Sequence, residues 1–301
     1  MKQDLEVVII GGSYAGLSAA MTLGRALRRT LVIDAGEPCN RQTPHSHNFL
    51  TRDGATPAEL ATAARQQATA YPSVSFRHDR VVAASKAEAG FEITTQQGER
   101  ITAQKVVLAT GIKDQILPLP GFAECWGISV IHCPYCHGYE VHGRRIGLLA
   151  NGDRGFDMAR LIQHWNPALT LFTNGPATLT AEQQAQLRQW GVDLVETPLV
   201  ALDHRNGYLQ QIRLHDGTTF ALTALYAQVP FSLPTHLTDG LGCTLTDLGL
   251  IQTGPGGGTS VPGLYAAGDV TTPFRSVAMA GASGNLAGAF INHELIHEKW
   301  Q

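Results

Sequence analysis

Two cysteines stand two residues apart in Ile131-His132-Cys133-Pro134-Tyr135-Cys136-His137-Gly138-Tyr139-Glu140, with a histidine on either side of the pair. Thiols at that spacing close a small disulfide ring, and a thiolate there is stabilised by neighbouring positive charge or by backbone N–H groups. The chemistry expected of Cys133 and Cys136 is therefore thiol–disulfide exchange, with His132 and His137 placed to supply charge or carry a proton. A zinc site would need a second ligand pair at matching spacing, whereas Cys39, Cys125 and Cys243 stand alone, so no metal is expected. Two more histidines, His45 and His47, lie in the polar, proline-punctuated loop 38–49. Imidazole titrates near neutrality, so both are acid–base candidates; the rival reading is a solvated loop, and geometry decides between them.

A redox pair needs a scaffold, and the chain opens on one. Residues 7–10 form a buried strand, Gly11-Gly12-Ser13-Tyr14-Ala15-Gly16 a turn, residues 17–26 a helix of small side chains, and residues 31–33 a second strand ending at Asp34. This is a dinucleotide-binding unit: Gly11 serves the tight turn, Gly16 lets helix approach strand, and the helix N-terminus meets a pyrophosphate. Asp34 is positioned for ribose hydroxyls. Ser13 replaces the middle glycine of the usual pattern, so the pyrophosphate has a small side chain beside it. Asn40, Gln42 and Asn48 in the following loop are candidate bonds to a flavin or its ribityl chain.

Thr56-Pro57-Ala58-Glu59 reads as a helix start, and residues 73–76, 80–84, 91–95 and 99–102 as short strands of a meander. Val82 in that meander, and Thr110 and Gly111 at the end of the strand that begins at 105, join the cofactor candidates. Near the C-terminus a strand stops at Gly268-Asp269, and a small-residue helix follows Ser276 and Val277. The acid can hold a ribityl hydroxyl and the helix dipole can face a reduced flavin's negative edge, which selects flavin over nicotinamide.

From residue 122 to about 240 the pattern restarts, with a strand over 145–149, a turn over 150–155, a helix over 156–165 and a strand over 169–172. It is an eroded copy. Ala150 stands where an NADPH site wants its first glycine, and Thr173-Asn174-Gly175 stands where arginines would meet a 2'-phosphate. Asp153 and Asp157 bring negative charge toward the place of the pyrophosphate. NADPH is therefore not expected to be a ready ligand.

With 301 residues and 44% apolar content the chain can build two cores. A net charge of -3 with no basic block gives no footprint for nucleic acid or anionic lipid. No signal pattern or apolar run of membrane-spanning length occurs, and five cysteines suit a reducing compartment better than a secreted scaffold, so a cytoplasmic protein is expected.

Taken together, Gly11 to Gly16, Ala109-Thr110-Gly111, Cys133-Pro134-Tyr135-Cys136, and Ala267-Gly268-Asp269 with Arg275-Ser276-Val277 resemble low-molecular-weight thioredoxin reductases along essentially the whole chain. The resemblance implies an α/β fold of two Rossmann-like domains, the second inserted in the first. An FAD-binding domain would comprise residues 1–115 plus 241–301, and an inserted domain residues 116–240 would carry the cysteines. It also implies a homodimer, with Cys136 against the flavin and Cys133 as the exposed thiol. Cys-x-x-Cys-His-Gly-Tyr-Glu in place of the usual Cys-x-x-Cys-Asp-Gly is similar to the dithiol oxidases that close disulfides in gliotoxin- and holomycin-type natural products. On that branch a small dithiol reduces the cysteines, they reduce FAD, and oxygen or another acceptor reoxidises it; His137, with His45 or His47, moves the protons. The alternative is a reductase that runs electrons from NAD(P)H or ferredoxin through FAD to a thioredoxin-like protein. A flavin redox sensor without turnover fits less well, because it has no use for an intact thiol pair.

Overall fold

The computed structural model describes residues 5–300, and the chain forms two compact units. The first takes the chain through Arg41, then Phe49–Lys113, and everything from Phe231 onward. The second takes Asp114–Pro230 and a detached piece, Gln42–Asn48. In chain order the elements begin with β1 (Leu5–Ile10), α1 (Tyr14–Arg25), β2 (Thr30–Asp34), α2 (Pro57–Thr69), β3 (Val74–His78), β4 (Val81–Ala87), β5 (Gly90–Thr95) and β6 (Arg100–Leu108). Next come β7 (Lys113–Asp114), α3 (Phe122–Cys125), β8 (Val130–Ile131), α4 (Pro134–Val141), β9 (Ile146–Leu149), α5 (Gly152–Ile162), β10 (Leu169–Phe172), α6 (Ala181–Gln189) and β11 (Asp193–Val195). The chain closes with β12 (Leu199–Arg205), β13 (Tyr208–Leu214), β14 (Thr219–Ala221), β15 (Ala224–Ala227), β16 (Phe231–Ser232), α7 (Thr235–Leu241), β17 (Leu264–Ala266) and α8 (Val277–Lys299).

In the first unit β3, β2, β1, β6 and β17 lie side by side in parallel, and β6 also carries β5 and β4 as an antiparallel meander. Strand β1 is buried on both faces, as its unbroken Val7-Val8-Ile9-Ile10 run requires in a covered parallel sheet. Val7 and Ile9 join Leu17, Ala20 and Leu23 of α1, whereas Val8 and Ile10 join Phe91 and Ile93 of the meander. Each such fully buried side chain is worth about 1.5–3 kcal/mol. Helix α8 lies against α1 through glycines: a Cβ on Gly284 would fall 2.0 Å from the Ala15 carbonyl oxygen, and one on Gly288 2.9 Å from that of Ala19. Helix α2 opens with the expected threonine cap, Thr56 and Glu59 bonding reciprocally across its first turn.

The second unit repeats the spatial order with β11, β10, β9, β15 and β8, all parallel, beside an antiparallel ribbon of β12, β13 and β14. Edge strand β8 thus occupies beside β15 the position that β17 occupies beside β6.

The boundaries expected at 115/116 and 240/241 fall at 113/114 and 230/231. The ten-residue difference has a packing cause: Leu237 and Leu241 of α7 are buried with Ala84 of β4 in the first unit's core. The piece Gln42–Asn48, expected within the FAD-binding part, groups with the second unit; Gln42 and Thr43 lie so close over Gly127 that a Cβ there would come within 2.9 Å of Gln42 Nε2. Among the described residues no helix is long and apolar enough to cross a membrane.

Candidate functional site

Three glycine-bearing motifs of the first unit and Asp34 converge where a parallel sheet presents its strand ends. β1 runs into Gly11, β2 ends at Asp34, β6 runs into Thr110-Gly111, and β17 leads to Gly268-Asp269. Ligands bind at such carboxyl ends where neighbouring strands diverge in connection. Gly11 takes φ +107°, and a Cβ there would fall 2.2 Å from Ala109 O; one on Gly16 would fall 1.8 Å from Gly11 O. Helix α1 is thereby drawn onto the turn. Ser13 is its extended N-cap but its hydroxyl makes no cap bond, so the first-turn N–H groups look outward for an acceptor. Gly268, at φ +81°, sits where a Cβ would touch Ala15 within 2.9 Å, and its N–H donates to Ser283 Oγ of α8.

The polar side chains around this cradle are held from within. Asp34 accepts from the N–H of Gly12 (2.8 Å) and of Gly36 (3.1 Å), leaving further lone pairs of its carboxylate for a ribose. Asn40 donates to the hydroxyl of Tyr14 on the first turn of α1. Asp269 forms an ion pair with Arg275 at 3.5 Å. Ser276 caps α8 by accepting from Met279 N, with Val277 the first helical residue. Val82 stands 41% exposed on β4, at a shift of register between Val81 and Ala83 that leaves its backbone out of the ladder. This set fits the ribose, pyrophosphate and flavin edge of FAD. Gln42 and Asn48 belong to the piece that groups with the second unit, Asn48 in a left-handed conformation.

In the second unit the disulfide follows edge strand β8. Cys133 and Cys136 are bonded to each other, with their Cα atoms 5.3 Å apart. Cys133 is the N-cap of α4, Pro134 fills the first turn where its missing N–H costs nothing, and Cys133 Sγ accepts from Cys136 N at 3.1 Å. Trp165 packs under the helix at Gly138, where a Cβ would lie 3.3 Å from the indole. Fully buried Asn166 donates to the carbonyls of Val141 (2.6 Å) and Arg144 (3.2 Å), fixing the helix end. Strand β8 is set by Ser129, whose hydroxyl bonds Gly207 O and Leu209 N. The thiol pair is therefore carried by a short helix anchored at both ends.

The histidines divide. His137 is half-buried on α4, and burial pushes its imidazole below the ordinary range, with the charge of Glu140 opposing that and His47 adding to it. A neutral ring at pH 7 is a base. His47 reaches Glu140 from the detached piece, Nε2 to Oε1 3.5 Å, and His45 lies 6.4 Å from His47 ring to ring. His132, a candidate by position, instead stacks on Trp126 at 5.9 Å. Among the described residues no three histidine, cysteine or acidic side chains converge as a metal-ligating group.

The eroded motif has a definite structure. Gly155 keeps the close approach of helix to strand, since a Cβ there would fall 3.2 Å from the Ala150 carbonyl carbon. What differs is the head of α5. Its N-cap Asn151 accepts from Gly152 N (2.8 Å), Thr178 N (2.9 Å) and Thr178 Oγ1 (3.2 Å), and donates to Pro176 O (2.9 Å). Asp153 accepts from Gln183 Nε2 at 2.7 Å. Asp157, expected to repel a pyrophosphate, is exposed and paired with Arg160 at 3.1 Å. The helix starts at Gly152, four residues before the expected 156, because Asn151 caps it there.

Sequence reasoning passed over Glu140, Tyr14, Asn151 and Thr178. A signal existed for the first: once Pro134 starts a helix, Glu140 is one turn from both Cys136 and His137. The bonds of Thr178 join residues 27 positions apart and have no local signature.

A nucleotide cradle in one unit and a helix-borne disulfide in another are the parts of a two-unit disulfide oxidoreductase. The chain belongs to the pyridine nucleotide-disulphide oxidoreductase family, whose model matches residues 5–284, and within it to the thioredoxin reductase-like flavoproteins. A thioredoxin reductase of Claviceps purpurea, tcpT, is 33% identical, over 97% of this chain and 94% of its own length. The crystal structure of an oxidoreductase from Agrobacterium tumefaciens shares 37% identity with a TM-score of 0.92, covering 98% of this chain and 99% of its own. That of HlmI shares 31% identity with a TM-score of 0.94, covering 99% and 95%. The family works with FAD, and the chain is an enzyme of this kind.

Proposed function

We propose that this protein oxidises small dithiols to disulfides, using FAD and no nicotinamide nucleotide. The observation that carries the reading is the closed head of α5. In a nicotinamide site those N–H groups meet the pyrophosphate. Here the side chain of Asn151 takes one of them and ties the loop at Pro176 and Thr178 across the helix start, with acidic Asp153 alongside. A dianionic ligand would have to displace these bonds and face a carboxylate. The Cys-His-Gly-Tyr-Glu sequence after Cys133 supports the same branch.

In this reading a substrate thiol gives its proton to His137 as its sulfur attacks Cys133, and Cys136 leaves as a thiolate. The helix head stabilises that exchange, since the Cys136 N–H already points at Cys133 Sγ and can serve a thiolate there. The second substrate thiol, giving its proton to His45 or His47, then resolves the mixed disulfide and frees the Cys133 thiolate. FAD supplies the electron sink for the resulting dithiol, and dioxygen is the terminal oxidant. Gly11, Ser13, Ala15 and Gly16 would hold its pyrophosphate; Asp34 and Asn40 its ribose side; Val82 its adenine side by backbone; Thr110, Gly111, Gly268, Asp269, Ser276 and Val277 the flavin side.

The test is anaerobic mixing of the FAD-loaded protein with dithiothreitol, NADPH or NADH while the visible flavin band is followed. Bleaching by the dithiol, recovery in air and no response to either nucleotide is the expected result. Rapid bleaching by NADPH would make the protein a reductase. A Cys136→Ser protein keeps FAD and loses the dithiol response.

A further inference from the structure

Two exposed histidines lie outside both the cofactor candidates and the thiol chemistry. His293 and His297 are one helical turn apart on α8, and their rings meet, Nε2 to Nε2 at 3.1 Å with the centroids 4.3 Å apart. The helix beneath them is held rather than frayed. Ile291 and Leu295 bury its inner side in the core shared with α1. On one flank Arg28 donates to Asn292 Oδ1 at 2.8 Å; on the other Lys105 is paired with Glu294 at 2.8 Å and with Glu298. The backbone that sets the spacing of the two rings is therefore ordered before any ligand arrives, which lowers the entropy cost of binding one.

We propose that His293 and His297 form a chelating site for a divalent transition-metal ion such as Zn2+ or Ni2+. Imidazole nitrogens bind such ions at about 2.0–2.1 Å, so two on one ion stand about 2.9 Å apart at a right angle and about 3.3 Å apart at the tetrahedral angle. The observed 3.1 Å falls between these values, and the ion can enter with little movement of either ring. As a hydrogen bond the contact needs one ring to carry its hydrogen on Nε2 and the other on Nδ1. Ligation needs both on Nδ1, a tautomer shift that changes no charge. The surroundings favour a cation: Glu294 and Glu298 set two carboxylates against the one ammonium of Lys105, and the last turn of α8 presents the negative end of its dipole. Lys299 opposes from an exposed position, its ammonium over the Trp300 ring. Nitrogen ligands select transition ions over Mg2+ and Ca2+, which take oxygen. Two protein ligands leave the remaining positions to water, which makes the site open and exchangeable rather than structural.

The test is calorimetric titration of the untagged, FAD-loaded, disulfide-closed protein with Ni2+, Zn2+ and Mg2+, with thermal unfolding followed in parallel. Wild type is compared with His293→Gln, His297→Gln and the relocated variant His297→Gln/Lys299→His. Glutamine keeps a good helix former at each exposed position, and equal FAD content and circular dichroism establish that every variant is folded. The relocated variant keeps the number of histidines but sets them six residues apart, about 9 Å along the axis and on different faces. The expected result for the wild type is saturable binding of Ni2+ and Zn2+ and a rise in melting temperature with either ion, with no response to Mg2+. Each variant, the relocated one included, should bind roughly tenfold more weakly or lose the site altogether. An isotherm unchanged by His293→Gln would assign any bound metal to other histidines and overturn the proposal. Undiminished binding in the relocated variant, an equal response to Mg2+, or no saturable binding by the wild type would overturn it as well.

Discussion

Replacing Gly284 by alanine puts a propensity effect and a packing effect in opposition. Alanine in a helix interior is worth up to about 1 kcal/mol over glycine, so α8 taken alone would be stabilised. The new Cβ would lie 2.0 Å from the Ala15 carbonyl oxygen and 2.7 Å from its carbon. Backbone cannot rotate aside as a side chain can. Restoring ordinary contact requires α1 and α8 to part by more than about 1 Å, and such overpacking costs about 1–3 kcal/mol. The net expectation is a loss of about 1–2 kcal/mol, read as roughly 2–4 °C of melting temperature per kcal/mol. Because Ala15 belongs to the first turn over the pyrophosphate cradle, FAD retention should fall as well. Gly281, on the same helix, has open space at its Cβ position and serves as control: Gly281→Ala should hold or raise the melting temperature. Thermal unfolding and FAD fluorescence on both variants decide the matter. A Gly284→Ala protein as stable and as yellow as the Gly281→Ala protein would refute the close-packing argument.

Burial holds the His137 imidazole below its ordinary value of about 6.5, so the neutral base persists as pH falls past that point and the rate drops only further down. The acid limb of dithiol-driven flavin reduction should therefore lie below pH ~6.5, and His137→Gln should lose that limb along with most of the rate. Lys105, only 5% exposed at its side chain, is paired with Glu294 at 2.8 Å and with Glu298. Lys105→Met should cost roughly 2 kcal/mol in chemical denaturation, less than a fully buried broken pair because the acids are partly solvated. Burial pushes the Glu294 carboxyl up, but Lys105 and the Tyr265 hydroxyl outweigh it and hold the group below its usual value. The wild type should then lose stability as pH falls from the ordinary carboxylate value through the lowered one, and the Lys105→Met protein should lose less over that window.

The first unit could be read from sequence because its signals are local. Gly11, Gly16 and Asp34 lie within one strand–helix–strand passage, and each answers to a steric need now visible as a forbidden Cβ or a paired carboxylate. The cysteine helix was half legible: Pro134 marks its first turn, but its anchors are Trp165 and Asn166, more than 20 residues on. Two features resisted. The boundary at 230/231 depends on Leu237 and Leu241 finding β4, a contact across about 150 residues. The piece Gln42–Asn48 follows a nucleotide-binding unit in the chain yet groups with the other unit, and loop composition does not say which core a loop joins. The eroded second motif was recognised by what it lacks; what it has instead, the Asn151 cap, needed coordinates.

That seven-residue piece, Gln42–Asn48, limits how the redox machinery can be treated as a module. Cutting the chain at 114 and 230 would yield a fragment with the disulfide, α4 and Glu140 but without His45 or His47. A graft of the inserted unit onto another flavoprotein would carry its thiols and leave behind the histidine that meets Glu140. Transplants of the cysteine unit should therefore include a donor for the position of His47, and shuffling between relatives should cross over either before Gln42 or after the whole inserted unit, never between the two.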